Sequence, residues 1–162
     1  MKSQKIKKFL PFILILLIFA IDRISKDLIV NYFMETNNQT LYLNSFINFI
    51  LIRNEGIAFG LFSLSSNLAY NLITIIIFSL IIYIFFLLYK SEGVKKYTLC
   101  MIIGGALGNL FDRIKSKSVP DFIDLHINDF HWFVFNIADI FITIGIIILI
   151  YLEIFEKNEN EA

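Results

Sequence analysis

Four long stretches of this chain are nearly free of charge, and few folds accommodate that pattern. Phe9 to about Val30 is charged only near its far end, and 68–89 carries no charge at all. The stretch 97–115 is uncharged from Tyr97 to Phe111, and 132–152 holds a single charge, Asp139. A helix needs about 20 residues to cross the hydrocarbon of a bilayer. Backbone groups inside lipid must bond within their own segment, so such stretches are helices and not strands. The chain has 162 residues, 57 % of them hydrophobic. A soluble domain of that size has too little interior to hide so much apolar surface. The expectation is an all-α membrane protein of one integral domain, 1–162, with four transmembrane helices.

The first stretch follows Lys2, Lys5, Lys7 and Lys8 and resembles a secretory leader. It ends Phe19-Ala20-Ile21-Asp22 with no small-x-small cleavage site, so it is read as a retained helix. Orientation follows from the excess of Lys and Arg on the cytoplasmic side. The N-terminal tail, Lys90, Lys95, Lys96 and Lys157 fall on one side; Arg53, Arg113, Lys115 and Lys117 fall on the other. Both termini are then cytoplasmic. Two outward segments result, about 31–67 and 116–131. In the first, Tyr42 to Ile52 is rich in Phe, Ile and Leu, which predicts short β-strands, followed by an interfacial helix near Gly60 to Ser66. The acidic tail, 153–162, is expected to be loose and cytoplasmic.

Net charge is zero and no basic surface stands out, which argues against nucleic acid as a partner. One cysteine, Cys100, excludes an intrachain disulfide. Charged groups near lipid are costly unless paired, so they mark function. Asp22 and Lys26 share a helix face, as do Arg23 and Asp27. Gly104 and Gly108 form a GxxxG surface that Asn109 and Arg113 continue, while Asp112 and Arg113 read equally well as simple anchors at the membrane interface. Asn136 and Asp139 open the fourth helix three residues apart, and a structural Asp139 needs a cation such as Arg113 or Lys26. The chain leaves the third helix, turns, and re-enters at the fourth, a path that can return Asp121 beside Asp139. Two carboxylates sharing a site hold one proton between them and can act as base and acid on one water.

Other chemistries fit less well. Cys100 and the histidines fall on opposite sides of the membrane, which disfavours a Cys/His nucleophile. Asp124, His126, Asp129 and His131 match no standard metal spacing, so no metal or cofactor is expected. Ser25 or Ser116 with Lys26 offers a weak Ser/Lys pair. A small ion transporter would use the same intramembrane Asp, Asn and Arg, with charges spread through the membrane depth, whereas here they gather toward one face. An assembly factor using the GxxxG surface would need no pair of acids.

Taken together, the blocks Ile21-Asp22-Arg23-Ile24-Ser25-Lys26, Arg53 to Gly60, Gly104 to Arg113, Val119 to Ile123 and Phe135 to Asp139 resemble those of the lipoprotein signal peptidases (signal peptidase II), in the family's order. The resemblance implies an aspartyl endopeptidase with Asp121 and Asp139 as catalytic dyad. It implies that Asn54, Gly56, Asn109, Arg113 and Asn136 line or support the site, with Asp22 and Lys26 the polar pair of the first block. It implies cleavage of prolipoproteins before a diacylglyceryl-modified cysteine at the outer face of the bacterial cytoplasmic (inner) membrane, and inhibition by globomycin. The expected partners are lipid-modified signal peptides and membrane lipids, with the protein a monomer. Pro120, which fixes the backbone next to Asp121, is a departure from the family's pattern.

Overall fold

A computed structural model describes residues 2–36, 38–55 and 67–161. The elements in order are α1 (Lys2–Thr36), β1 (Thr40–Asn44), β2 (Ile47–Asn54), α2 (Asn67–Lys90), α3 (Gly93–Ser116), β3 (Val119–Ile127), β4 (Phe130–Phe135) and α4 (Ile137–Glu161). The protein is mostly helical, with one antiparallel sheet in the order β1-β2-β3-β4. Among the described residues, two helical segments are long and apolar enough to cross a membrane: Tyr70–Lys90, mean hydropathy 2.8, and Ile137–Phe155, mean hydropathy 2.4. Their side chains face outward: Leu72, Ile75, Ile76, Ile147 and Ile150 are all exposed.

Helix α3 is the centre of the bundle and packs against α1, α2 and α4. Its glycines permit this closeness. A Cβ on Gly105 would stand 2.5 Å from the carbonyl oxygen of Ala138 in α4. The backbones of α3 and α4 therefore meet with no side chain between them, as small residues allow in membranes. Below that contact, Ile15, Leu88, Leu99, Cys100 and Ile103 form an apolar core between α1, α2 and α3. Polar residues fill the bundle toward the sheet.

The sheet joins two chain segments that are far apart in sequence. The β1–β2 hairpin falls where strands were expected. The segment 116–131, expected as a loop, instead supplies β3, whose Asp121 pairs opposite Ile52 and whose Val119 pairs opposite Asn54. Lys117 ends α3 in the left-handed region (φ 55) and its N–H donates to the Arg113 carbonyl at 3.2 Å, which turns the chain into β3.

Three expected boundaries are corrected. The stretch 132–152 begins as β4, and α4 starts at Ile137. The aromatic run Phe130–Phe135 reads as apolar in a hydropathy window, yet aromatic and β-branched residues suit a pleated surface, and Asn136 stops the strand. The helix expected at 97–115 starts earlier, at Gly93. The tail from 153 onward, expected to be loose, continues α4 to Glu161, with Glu153 ion-paired to Lys95 of α3. The expected interfacial helix at Gly60 to Ser66 lies outside the described residues.

Replacing Gly105 by Ala forces α3 and α4 apart. A loss of about 1–3 kcal/mol is expected, the cost of overpacking a tight contact. Thermal unfolding of purified protein in detergent would register it; an unchanged midpoint would show that the helices separate freely.

Candidate active site

The start of α4 gathers the site. Asn136 follows β4 and is the N-cap residue. Its Oδ1 accepts from the Asp139 N–H at 3.1 Å, while the Asn136 N–H donates to Asp139 Oδ2, also at 3.1 Å. This is a reciprocal capping box with Asp in the third helical position. The next free N–H, that of Ala138, donates to Asp22 Oδ1 of α1 at 3.0 Å. A carboxylate at a helix N-terminus is favoured by the exposed N–H groups and the helix dipole.

Asn136 also reaches the other acid. Its Nδ2 donates to Asp121 Oδ1 at 2.6 Å, and Asn54 Nδ2 of β2 donates to Asp121 Oδ2 at 2.9 Å. One asparagine therefore binds both Asp121 and Asp139. Asp121 is buried, and burial pushes its carboxyl up to about 6. The Asn54 bond opposes that rise, the Asp139 charge adds to it, and Asn136 and Lys26 oppose it.

Behind the acids stands one ammonium. Lys26 Nζ donates to Asp22 Oδ2 at 2.9 Å, Asn109 Oδ1 at 2.8 Å and Asp112 Oδ2 at 2.9 Å. An ammonium has three donors, so Lys26 is fully used, at 1 % exposure. Its hold on Asn109 Oδ1 turns the Asn109 amide so that Nδ2 donates to Asp139 Oδ1 at 2.8 Å. Arg23 closes the cluster with two bonds to Asp112 and one of 2.9 Å to Asp22, and its guanidinium lies over the Phe111 ring.

Most of the expected site residues thus meet. Asp22, Lys26, Asn54, Asn109, Asp121, Asn136 and Asp139 form one continuous network. Gly56 lies outside the described residues. Arg113 is buried, but among the described residues no hydrogen bond ties it to either acid, and its Nε and Nη1 have no partner. Arg23 pairs with Asp22 and Asp112 and forms no ion pair with Asp27, correcting the expected second pair. Asp112 was read as a possible interface anchor, yet it is buried and binds both Lys26 and Arg23. A signal for it exists: Asn109 and Asp112, like Arg23 and Lys26, are three apart on one helix face.

Beside Asp139 a cavity of about 260 Å³ is lined by Leu125, Trp132, Phe135, Ile140 and Thr143. A buried acid beside a half-buried one, a shared asparagine and an adjoining apolar cavity suit acid–base chemistry on an apolar substrate. Apolar outer helix faces around such an interior define a membrane enzyme. A family model described as "Signal peptidase (SPase) II" matches residues 14–155. The lipoprotein signal peptidase of Pelagibacter ubique is 46 % identical over 161 residues, covering 99 % of this chain and 97 % of that protein. That of Anaplasma marginale is 36 % identical over 151 residues, covering 91 % and 85 %. A solved bacterial membrane enzyme superposes with a TM-score of 0.71 at 28 % identity, covering 94 % of this chain and 91 % of its own. The chain belongs to the signal peptidase II family. It is a membrane peptidase, of the family that cleaves signal peptides from prolipoproteins.

Replacing Lys26 by Met leaves Asp22 and Asp112 short of a buried cation. The expected loss is about 3–5 kcal/mol, the usual result of removing one partner from a buried ion pair. Thermal unfolding in detergent measures it, and a loss below about 1 kcal/mol would mean that Arg23 alone neutralises the cluster.

Proposed function

We propose that the chain is an aspartyl endopeptidase that cuts prolipoproteins before a diacylglyceryl-modified cysteine, with Asp121 and Asp139 as the dyad. The observation that carries this reading is Asn136, whose side-chain amide donates to the Asp121 carboxylate while its backbone N–H donates to the Asp139 carboxylate. Asp139 accepts N–H bonds on both oxygens, which suits the ionised base. Asp121, whose proton is held up to about 6, suits the acid. Asp139 takes a proton from water as the oxygen attacks the scissile carbonyl, and Asp121 gives its proton to the carbonyl oxygen. When the C–N bond breaks, Asp139 passes its proton to the leaving nitrogen, and Asp121 recovers one from the tetrahedral hydroxyl. No metal or cofactor enters these steps. Asn54 and Asn136 position Asp121, and Asn109 positions Asp139, each held by the next shell of bonds.

All four helices span the bacterial inner membrane in this reading, with both termini cytoplasmic and the sheet outside. Helices α1 and α3 bury their charges against each other. The Lys95–Glu153 pair marks the opposite end from the acids. Exposed Phe130 and Trp132 on β4 suit the lipid–water interface, where aromatic rings collect. The substrate, a signal helix with two acyl chains, then enters sideways from lipid, and the apolar cavity beside Asp139 receives apolar groups. The working unit in this reading is a monomer. Arg113 and Gly56 keep their proposed supporting roles through the family resemblance, as does inhibition by globomycin.

Purified protein in detergent should cleave a diacylglyceryl-modified prolipoprotein before the lipidated cysteine. Asp121→Asn and Asp139→Asn should each lower kcat by roughly a thousandfold or more while inserting normally, since each removes an essential proton carrier. Near-normal cleavage by either variant would show that the dyad is misassigned.

A pH profile supplies a second check. The active dyad holds one proton. Its loss from Asp121 removes the acid, so kcat/KM should fall as pH rises through about 6. The Asn54 bond favours the ionised carboxylate, so Asn54→Ala should move that limb to higher pH. A limb that stays in place or moves down would contradict the assignment of the proton to Asp121.

A further inference from the structure

Away from the dyad, three side chains of the β3–β4 hairpin converge with no role in peptide cleavage. Asp124 and His126 are two apart on β3 and point to one face of the sheet. The register sets His131 of β4 directly opposite His126. The two imidazoles stack, ring centroids 5.1 Å apart and planes 20° from parallel. Both present Nδ1 to the same carboxylate. His131 Nδ1 lies 2.9 and 3.0 Å from the two Asp124 oxygens, and His126 Nδ1 lies 3.7 Å from Asp124 Oδ2.

The cluster is unsatisfied as it stands. Asp124 is 2 % exposed, and the single carboxylate engages His131, leaving His126 Nδ1 buried with no hydrogen bond. A buried nitrogen without a partner is a real cost and calls for an explanation. Next to it, Asn48 of β2 pairs opposite Asp124, so its side chain stands on the same face, and its Oδ1 is also buried without a partner. An ion between these groups would resolve the cost.

We infer that Asp124, His126 and His131 form a binding site for a divalent transition-metal ion, Zn²⁺ in particular. The donor atoms all lie within 4.8 Å of one another. An ion at about 2.0–2.2 Å from each donor requires them within roughly 4 Å, so small side-chain rotations close the site. His131 is 54 % exposed and free to make that move. Two imidazoles and one carboxylate select Zn²⁺ and its neighbours over Mg²⁺ and Ca²⁺, which prefer all-oxygen sites. Water completes the coordination through the open His131 side. The ion is a clamp on the hairpin. It ties β3 to β4 near their turn, while Asp121 and Asn136 occupy the open end of the same hairpin. The clamp steadies the sheet and takes no part in peptide hydrolysis.

The test uses full-length protein without an affinity tag, stripped with EDTA and purified in detergent. Zn²⁺ titration by calorimetry and metal analysis after gel filtration should give about one ion per chain. Zn²⁺ should also raise the thermal midpoint, since an ion that binds only the folded state stabilises it by mass action. His126→Ala and His131→Ala should each weaken binding roughly tenfold or more and abolish the midpoint rise. Excess Mg²⁺ or Ca²⁺ should not compete. His131 is exposed, so His131→Ala should fold and cleave as the parent does, and it decides the question even if His126→Ala unfolds. Absence of stoichiometric Zn²⁺ binding overturns the inference. Binding of equal strength in His131→Ala also overturns it, by locating the ion elsewhere.

Discussion

The Nζ of Lys26 touches two helices directly and a third through one intermediary. It binds Asp22 on its own helix and Asn109 and Asp112 on α3, while Asp22 and Asn109 in turn hold the first residues of α4. Removing water from three charges is costly, and this cluster offsets that cost only because every ammonium proton is bonded and Arg23 supplies a second cation. An apolar replacement of the whole cluster can pack as well. It would give up the fixed rotation of three helices, because apolar surfaces slide past one another and charged forks do not.

The same bonds do two jobs at the head of α4. A helix start leaves N–H groups unsatisfied, and here Asn136, Asp139 and Asp22 satisfy them. Asp139 is thus a capping residue and a member of the proposed dyad. Stability and chemistry are linked at one helix end, and a substitution there disturbs both. Asn136 carries this coupling furthest, because its carbonyl oxygen caps the helix while its amide holds Asp121.

The sheet contributes the other half of the site. β3 leaves the left-handed turn at Lys117 and is held between β2 and β4, which fixes Asp121 against Asn54 on one side and Asn136 on the other. A loop would leave Asp121 to wander; two hydrogen-bonded neighbours do not. The same pairing builds the Asp124–His126–His131 cluster nearer the turn, so one hairpin carries both the proposed acid and the proposed ion clamp.

Much of this was legible in the residues. Apolar runs gave the helices to within a turn or so for α2, and the unpaired cost of Asp22, Lys26, Asn109 and Asp139 near lipid marks them as groups that need partners, which the structure supplies. Tyr42 to Ile52 reads as short strands and falls within the β1–β2 hairpin. Other features were hidden. The aromatic run before Asn136 has the hydropathy of a helix, so β4 disappeared into the fourth apolar stretch. Asp112 looked like an ordinary interface charge, and Arg23 had a plausible helical neighbour in Asp27. The histidine cluster follows no metal spacing, because its members meet across strands. The sequence by itself determined which segments are apolar, where chain direction changes, and which charges need partners, since these depend on local composition and helical period. The tertiary structure decided which partners those charges take and which strand faces which. Those choices depend on side chains of distant segments arriving at one place, and only the packing of α1, α3, α4 and the sheet brings them there.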